Sequence, residues 1–461
     1  MNLLKAFFNN SILLLILLLS LILRLILVNQ SFWLDEAITA ITAFKPFPYQ
    51  LVNLGGDFQP PLYYVLIHIL TVTHITSEWF LRMPSVLFGL LSIWVTFKLG
   101  SEILNKKTAI LASILMATSQ FQIYYSQELR MYSLLCFISG LSMWFFYKKK
   151  HVLLFICHIV GLYTSYMYVF IPITQFLFLI LNRSERRYLR NYFITVAGSL
   201  ILFVPWLPVM YQQWLTSREI IHYLPGWSSI SKTDWFQLLP QVLLKFSIGR
   251  INFDDKIFYG ILFICIAAFY GYIFYRLLSN INHSVKLLMS WLIIPLAAVA
   301  IFSIFVPISG IWRLIFLQIP FVLLVSYGLT KIKHPQWFIS GIICIQLSGV
   351  ILYWMRPVYQ RERWKEAVSF VEKTDYPVVF TEEDGFAPFQ WYNSDKRMPC
   401  GPASIQRCLS GNRTIVYVSY LESLFDPEKK IQKAITSSGF QVLAVNNFEG
   451  VGFVYTYENR N

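Results

Sequence analysis

The chain has 461 residues, of which 56% are hydrophobic, 17% aromatic and 13% charged, and its 38 lysines and arginines outnumber 24 acids for a net charge of +14. A soluble domain carries about a quarter charged residues, and a mean hydropathy of +0.55 points away from one; a soluble enzyme, a disordered chain and a nucleic-acid binder are excluded. Six cysteines without a CxxC spacing rule out a disulfide scaffold or a cysteine-built metal site.

Lys5 precedes an apolar stretch from Ser11 to Val28. It is longer than the apolar part of a signal peptide and no A-x-A-like site follows, so it reads as a retained first span over 10–28. Ten more apolar segments fall near 80–98, 108–124, 131–147, 152–165, 167–181, 192–214, 257–275, 286–306, 312–330 and 336–354. Basic residues gather at cytoplasmic helix ends. With the N-terminus inside, one side collects Lys5; Lys98, Lys106 and Lys107; Lys148, Lys149 and Lys150; Arg183, Arg186, Arg187 and Arg190; Arg276 and Lys286; Lys331 and Lys333. The net charge is then a membrane-orientation signal. Eleven spans put the C-terminus outside.

Pro61 to Thr73 is apolar but too short to span. Counting it as a span would move two lysine clusters outside, so a helix lying at the outer surface is expected there. Residues 29–79 become a first outer loop and 215–256 a second, the latter carrying His222, Trp227, Asp234, Trp235, Lys245, Arg250, Asp254 and Asp255. The expected fold is an all-α polytopic bundle over 1–355 with a small α/β domain outside the membrane over 356–461. In that domain Arg361–Lys373 and Pro427–Ser437 read as helices, and Pro377–Thr381, Thr414–Tyr420, Gln441–Val445 and Gly452–Tyr457 as strands. Cys400 and Cys408 would lie on the oxidising side, where a bridge between them is one of two open readings. Cys136, Cys157, Cys265 and Cys344 fall in spans and read as packing residues.

Ionisable groups beside spans are costly and therefore functional candidates. The first outer loop opens Phe32-Trp33-Leu34-Asp35-Glu36-Ala37 and later reads Asp57-Phe58-Gln59-Pro60-Pro61-Leu62-Tyr63-Tyr64. The turn between the third and fourth spans holds Tyr124-Tyr125-Ser126-Gln127-Glu128-Leu129-Arg130-Met131-Tyr132, and Arg24, Arg82 and Arg313 sit near outer helix ends. A carboxylate can deprotonate an acceptor hydroxyl or amine, or bind a metal. A guanidinium can grip two phosphate oxygens. Both together at the lipid boundary suit transfer from a phosphate whose leaving group stays in the bilayer. Each residue also has a plainer reading: Asp35 and Glu36 as solvated charges or helix N-terminal residues, Arg24 and Arg82 reaching to headgroups, Arg130 pairing with Glu128, Pro60-Pro61 as a helix start, Lys245 and Arg250 as surface charges. His68, His151, His158 and His222 lack metal-ligand spacing.

Taken in order, these residues resemble the bacterial GT-C glycosyltransferases of the PMT-like, RgtA/B/C/D-like family (glycosyltransferase family 39 type), which includes protein O-mannosyltransferases and the lipid A aminoarabinose transferase. The matching pieces are WLDEA at Trp33–Ala37, DFQPPLYY at Asp57–Tyr64, LRMPSVLFGLL at Leu81–Leu91, YYSQELRMYSL at Tyr124–Leu134, GLYTSY at Gly161–Tyr166, Arg313 opening a late span, and ERWKEAVSFVE at Glu362–Glu372. The resemblance implies a multi-span bundle whose first outer loop carries surface helices and the catalytic acid Asp35, with Glu36 beside it. It implies a polyprenyl-phosphate sugar as donor, Arg130, Tyr132 and Arg313 at the lipid phosphate, and inversion at the anomeric carbon. Asp57, Gln59, Tyr63, Glu128 and Arg82 are the expected substrate contacts, and a cell-envelope protein, lipid or glycan the acceptor. Many relatives carry His or Lys where Gln59 stands, and His where Ser165 stands. Some use a divalent metal and some do not, so the cofactor stays open.

A lipid-linked oligosaccharide transporter or flippase, or a non-PMT oligosaccharide ligase, would share the span count. A transporter should place ionisable groups near mid-membrane in two repeated halves; here they gather at outer ends and no repeat is visible. A partner-binding assembly protein would leave the Asp-Glu loop unexplained.

Overall fold

The structure is a computed structural model that describes residues 2–48, 58–224, 226, 233–279, 281–304, 306 and 308–460. Among them, six helices are long and apolar enough to cross a membrane: Glu78–Ile103, Glu185–Tyr223, Lys256–Leu278, His283–Phe302, Ile311–Leu329 and Pro335–Met355. Shorter apolar helices cover Ser11–Leu25, Leu62–Thr71, Tyr132–Tyr147, His151–Thr164 and Tyr166–Leu181. The polytopic helical expectation holds, while the figure of eleven spans is not fixed by these lengths. The expected span 108–124 is in fact two helices, Lys106–Thr118 and Gln120–Ser126, the second started by the Ser119 side chain accepting from the Gln122 amide.

Polar residues mark the helix starts. Asn105, Asp255 and Asn282 each accept backbone amides of the following turn through their side chains, and Pro335 occupies the first position of the last long helix. Glu78–Ile103 is a central helix, packed on the helices that begin at Asn2, Lys106 and Tyr132. Its Gly89 lets another helix approach: a Cβ there would stand 2.3 Å from Ser126 Oγ and 3.1 Å from Arg24 Nε. Arg24 therefore does not reach to headgroups. It is fully buried and donates to Ser126 Oγ (3.2 Å) and the Ser20 and Ala117 carbonyls (3.3 Å each), with a further short contact to Ser20 Oγ.

Past Met355 the composition turns mixed and the chain forms a four-stranded sheet in the order β1-β2-β4-β3. β1 (Val378–Val379) runs parallel to β2 (Thr414–Val418), which pairs antiparallel with β4 (Gly452–Asn459), as does β3 (Phe440–Phe448), with Val416 opposite Thr456. The helix Trp364–Glu372 covers one face with Trp364, Val368 and Val371, while Ile431 and Ile435 of Lys430–Ser437 cover the other. Cys400 and Cys408 are bridged.

This α/β part sits on the helix Leu34–Phe44. The Trp391 ring lies 5.7 Å from Phe32 and 5.5 Å from Phe44, the Phe32 amide donates to the Tyr392 hydroxyl (2.7 Å), and that hydroxyl and Lys365 both donate to Glu78 (2.7 Å).

Candidate active site

Asp35 and Glu36 fall in the first turn of Leu34–Phe44, where the exposed amide dipoles favour negative charge. Neighbouring helix residues are about 100° apart, so the two carboxylates part company. Glu36 shares its stripe with Ala40 and Ala43, all fully buried. It meets Arg82 in a two-pronged pair, Nε to Oε1 at 2.8 Å and Nη2 to Oε2 at 2.6 Å, neither side chain having any exposure. The Leu129 amide adds a third donor at 2.7 Å. Arg82 also donates to the carbonyls of Val28 (2.7 Å), Gln30 (2.6 Å) and Ser31 (3.2 Å). The pair thus ties the end of the first helix, the Asp35 helix and the 127–131 turn together. Burial raises the Glu36 carboxyl, but Arg82 and then Arg361 outweigh it and hold it ionised. Neither Glu36, expected to be catalytic, nor Arg82, expected to touch substrate or reach to headgroups, faces a ligand; they hold each other.

Asp35 shares the other stripe with Thr39, whose hydroxyl donates to the Asp35 carbonyl (2.9 Å). The Arg130 guanidinium closes on this stripe. It donates to Thr39 Oγ1 at 3.1 Å and stands 3.8 Å from the Asp35 carboxylate, beyond hydrogen-bond length. The Arg130 side chain is 4% exposed and that of Asp35 31%, so a buried cation lies beside an accessible acid. The Tyr132 hydroxyl feels the charges of Arg130, Glu128, Asp35 and Arg313. Two of the remaining expected contacts are already engaged. The Tyr63 hydroxyl is spent on buried Ser85 Oγ (2.6 Å). Gln59 accepts from Gln213 through its backbone carbonyl (3.2 Å), and its Oε1 is buried without a hydrogen-bond partner. Asp57, like Trp227, lies outside the described residues.

Glu128 does not pair with Arg130. It accepts from Trp33 Nε1 (3.1 Å) and pairs with Arg361 (3.3 Å), each side chain 1% exposed. Burial pushes its carboxyl up, against the pull of Arg361. Arg361 also donates to the Tyr124 hydroxyl (2.6 Å) and carbonyl (3.1 Å), with its guanidinium 3.7 Å above the ring. Arg250 stacks on the same ring at 4.6 Å and donates to the same hydroxyl. It is turned there by Gly249, whose φ of +87° suits glycine and whose Cβ would collide with Gln120, the acceptor of the Arg250 amide at 2.6 Å. Arg250 is therefore no simple surface charge. Lys245 is not one either, since its buried Nζ donates to the Ile251 carbonyl (2.8 Å) and Asn252 Oδ1 (2.6 Å). Sequence reading missed Arg361, which sits 233 residues from Glu128; its only signal was its place immediately before the ERWKEA motif.

The next residue, Glu362, accepts from Trp364 Nε1 (2.8 Å) and from the Tyr420 hydroxyl (3.1 Å), while its carbonyl takes Ser31 Oγ (2.7 Å). Burial lifts its carboxyl from 4.5 to about 7, and the charge of nearby Asp35 adds to the lift. A raised acid holds its proton more tightly folded than unfolded. Its stabilisation is complete below about pH 4.5 and is lost as pH rises through about 7. Glu362→Gln should therefore gain stability over the parent above neutrality and flatten thermal unfolding temperature against pH; an unaltered profile contradicts this.

Among the described residues no three His, Cys, Asp or Glu side chains converge as a metal site. Glu36, the residue that would join Asp35, is committed to Arg82. Among the described residues, then, no resident metal has a fitted site.

Residues 58–211 match the dolichyl-phosphate-mannose-protein mannosyltransferase family. No curated protein matches the sequence. Among solved structures, ArnT from Cupriavidus metallidurans in the apo state superposes with a TM-score of 0.63 at 11% identity, covering 98% of each chain. The same protein bound to undecaprenyl phosphate gives 0.60 at 10% identity, again with 98% of each chain covered. The archaeal oligosaccharyltransferase AglB from Archaeoglobus fulgidus, in complex with an inhibitory peptide and a dolichol-phosphate, gives 0.51 at 13%, covering 91% of this chain and 70% of that one. The fold is that of the GT-C membrane glycosyltransferases. With the family match over residues 58–211, it bears out the resemblance to the PMT-like glycosyltransferases read from the motifs.

Proposed function

We propose that the chain transfers a glycosyl group from a polyprenyl-phosphate donor to a cell-envelope acceptor on the extracytoplasmic side of the membrane. The observation that carries this reading is the approach of Arg130 to Asp35 across 95 positions of sequence, a buried cation beside a partly open carboxylate. Asp35 takes the proton from the acceptor hydroxyl or amine as that atom attacks the anomeric carbon. The bond from that carbon to the phosphate oxygen breaks in the same displacement, inverting the centre. The negative charge left on the lipid phosphate is met by Arg130, with Arg313 and the Tyr132 hydroxyl beside it. Glu36 and Arg82 act as positioning residues, and Arg361 and Arg250 hold Tyr124 and Glu128 behind the turn that presents Arg130.

The donor class is supported by the undecaprenyl phosphate and dolichol-phosphate bound in the neighbours of this fold. Sidedness is supported by the two ends of the helix Tyr132–Tyr147, about 24 Å apart by its length. One end adjoins the site and the other the Lys148–Lys150 cluster, while the bridged Cys400 and Cys408 suit an oxidising compartment. Arg130→Ala should raise the donor concentration needed for half-maximal transfer by about tenfold or more, the loss of a charge-assisted contact. Arg130→Lys should fall between, keeping the charge but losing the fork. A donor dependence unchanged in Arg130→Ala would remove Arg130 from the phosphate.

A further inference from the structure

We propose that the opposite, lysine-rich end of the bundle holds a second binding site, for the phosphate-bearing headgroup of an anionic phospholipid. A cavity of about 420 Å³ opens there, where Tyr132–Tyr147, Phe170–Leu181 and His283–Phe302 end or begin. Its wall is divided. Leu154, Phe178 and Leu179 form an apolar back, all at most 2% exposed, while Lys149, His151 and His283 supply nitrogen atoms at the rim. A headgroup with the first carbons of its chains needs both kinds of surface, whereas a free anion needs only the second.

The rim is built to present cations. Lys149 adopts a left-handed backbone (φ +56°), uncommon for a residue with a side chain, because its amide closes the helix end on the Phe146 carbonyl (3.0 Å). That turn brings its ammonium to 3.6 Å from the Tyr188 ring centre and 3.2 Å from Glu185, which also lies 3.6 Å from His283. Glu185 thereby gathers two nitrogen donors on one side of the cavity. A phosphate entering would share them, and Glu185 is outnumbered: the two bordering segments carry Lys148, Lys149, Lys150, Arg186, Arg187 and Arg190. Glu102 engages Lys148 at 2.7 Å and leaves the others in place. The Nδ1 of His151 is buried at the wall without a hydrogen-bond partner. A basic recess between helix ends at the headgroup level is the chemistry that recognises anionic lipids.

The test uses the full chain in detergent micelles, titrated with short-chain phosphatidylglycerol, with phosphatidylcholine, and with inorganic phosphate, binding being read by native mass spectrometry and by the midpoint of thermal unfolding. Phosphatidylglycerol should bind and stabilise. Lys149→Gly should lower its affinity about fivefold, the loss of one cation near a membrane surface, yet fold as well as the parent because glycine accepts the left-handed turn. Lys333→Gln, in the basic connection between Ile311–Leu329 and Pro335–Met355 and absent from the cavity wall, should leave affinity unchanged. Equal losses in both variants would reduce the effect to the general surface field and overturn the site. Equal binding of phosphatidylcholine would overturn the need for an anionic headgroup. Equal stabilisation by inorganic phosphate would overturn a lipid source. The outcome is independent of glycosyl transfer, which the other end of the bundle performs.

Discussion

Asp35→Asn should lower glycosyl transfer by about 10²- to 10⁴-fold, the usual worth of a general base, while membrane insertion and thermal stability stay near those of the parent. The substitution keeps the shape of the side chain while removing its charge and its basicity. The carboxylate stands 3.8 Å from Arg130 and is 31% exposed, and Thr39 is fixed through the backbone carbonyl of Asp35, which the substitution leaves in place. Arg130 keeps its bond to Thr39 Oγ1 in the variant. Transfer is measured with the purified chain at saturating donor, and unfolding by fluorescence. An Asp35→Asn chain that turns over normally removes the residue from catalysis, and one that fails to fold shows a structural role.

Arg82→Ala should do the reverse, acting on stability first. It leaves the Glu36 carboxylate with no exposure and without its paired counter-charge, Arg361 acting only from farther off, a loss of about 3–5 kcal/mol against a total stability on the order of 5–15 kcal/mol for a typical protein. Glu36→Ala strands the guanidinium in the same way. Replacing both with apolar residues of similar volume should recover only part of the loss, because the carbonyls of Val28, Gln30 and Ser31 also lose their donor. The check is the unfolding temperature of the three variants in one detergent. An Arg82→Ala chain as stable as the parent would show that the pair does not hold the loop to the bundle.

The contrast between adjacent residues shows what the sequence conveyed and what it did not. The motifs carrying Asp35 and Arg130 were legible because each places an ionisable residue beside an apolar run, where lipid makes it costly. Helical phase separates Asp35 from Glu36, but which stripe would be buried depended on Arg82, 46 positions later. Tyr63 was expected as a substrate contact, yet its hydroxyl is taken by Ser85 from another helix. Arg361 was hidden more deeply. It was read only as the first residue of the helix Arg361–Lys373, whereas it precedes the helix Trp364–Glu372, and the folding of that segment over Leu34–Phe44 carries it onto Tyr124. The α/β elements themselves were well marked by alternating apolar residues: the strand expected at Thr414–Tyr420 is Thr414–Val418, and the helix expected at Arg361–Lys373 is Trp364–Glu372. Span counting fared less well, since a break at Ser119 leaves hydropathy unchanged while dividing a helix.

The most direct measurement follows a polyprenyl phosphate carrying a radiolabelled sugar, incubated with the reconstituted chain and, separately, with Asp35→Asn. Label leaving the lipid, for an envelope acceptor or for water, with the lipid monophosphate appearing in equal amount in the parent and not in the variant, is the expected result. Label that crosses the bilayer still joined to its lipid, with no bond broken, would contradict it and make the chain a transporter.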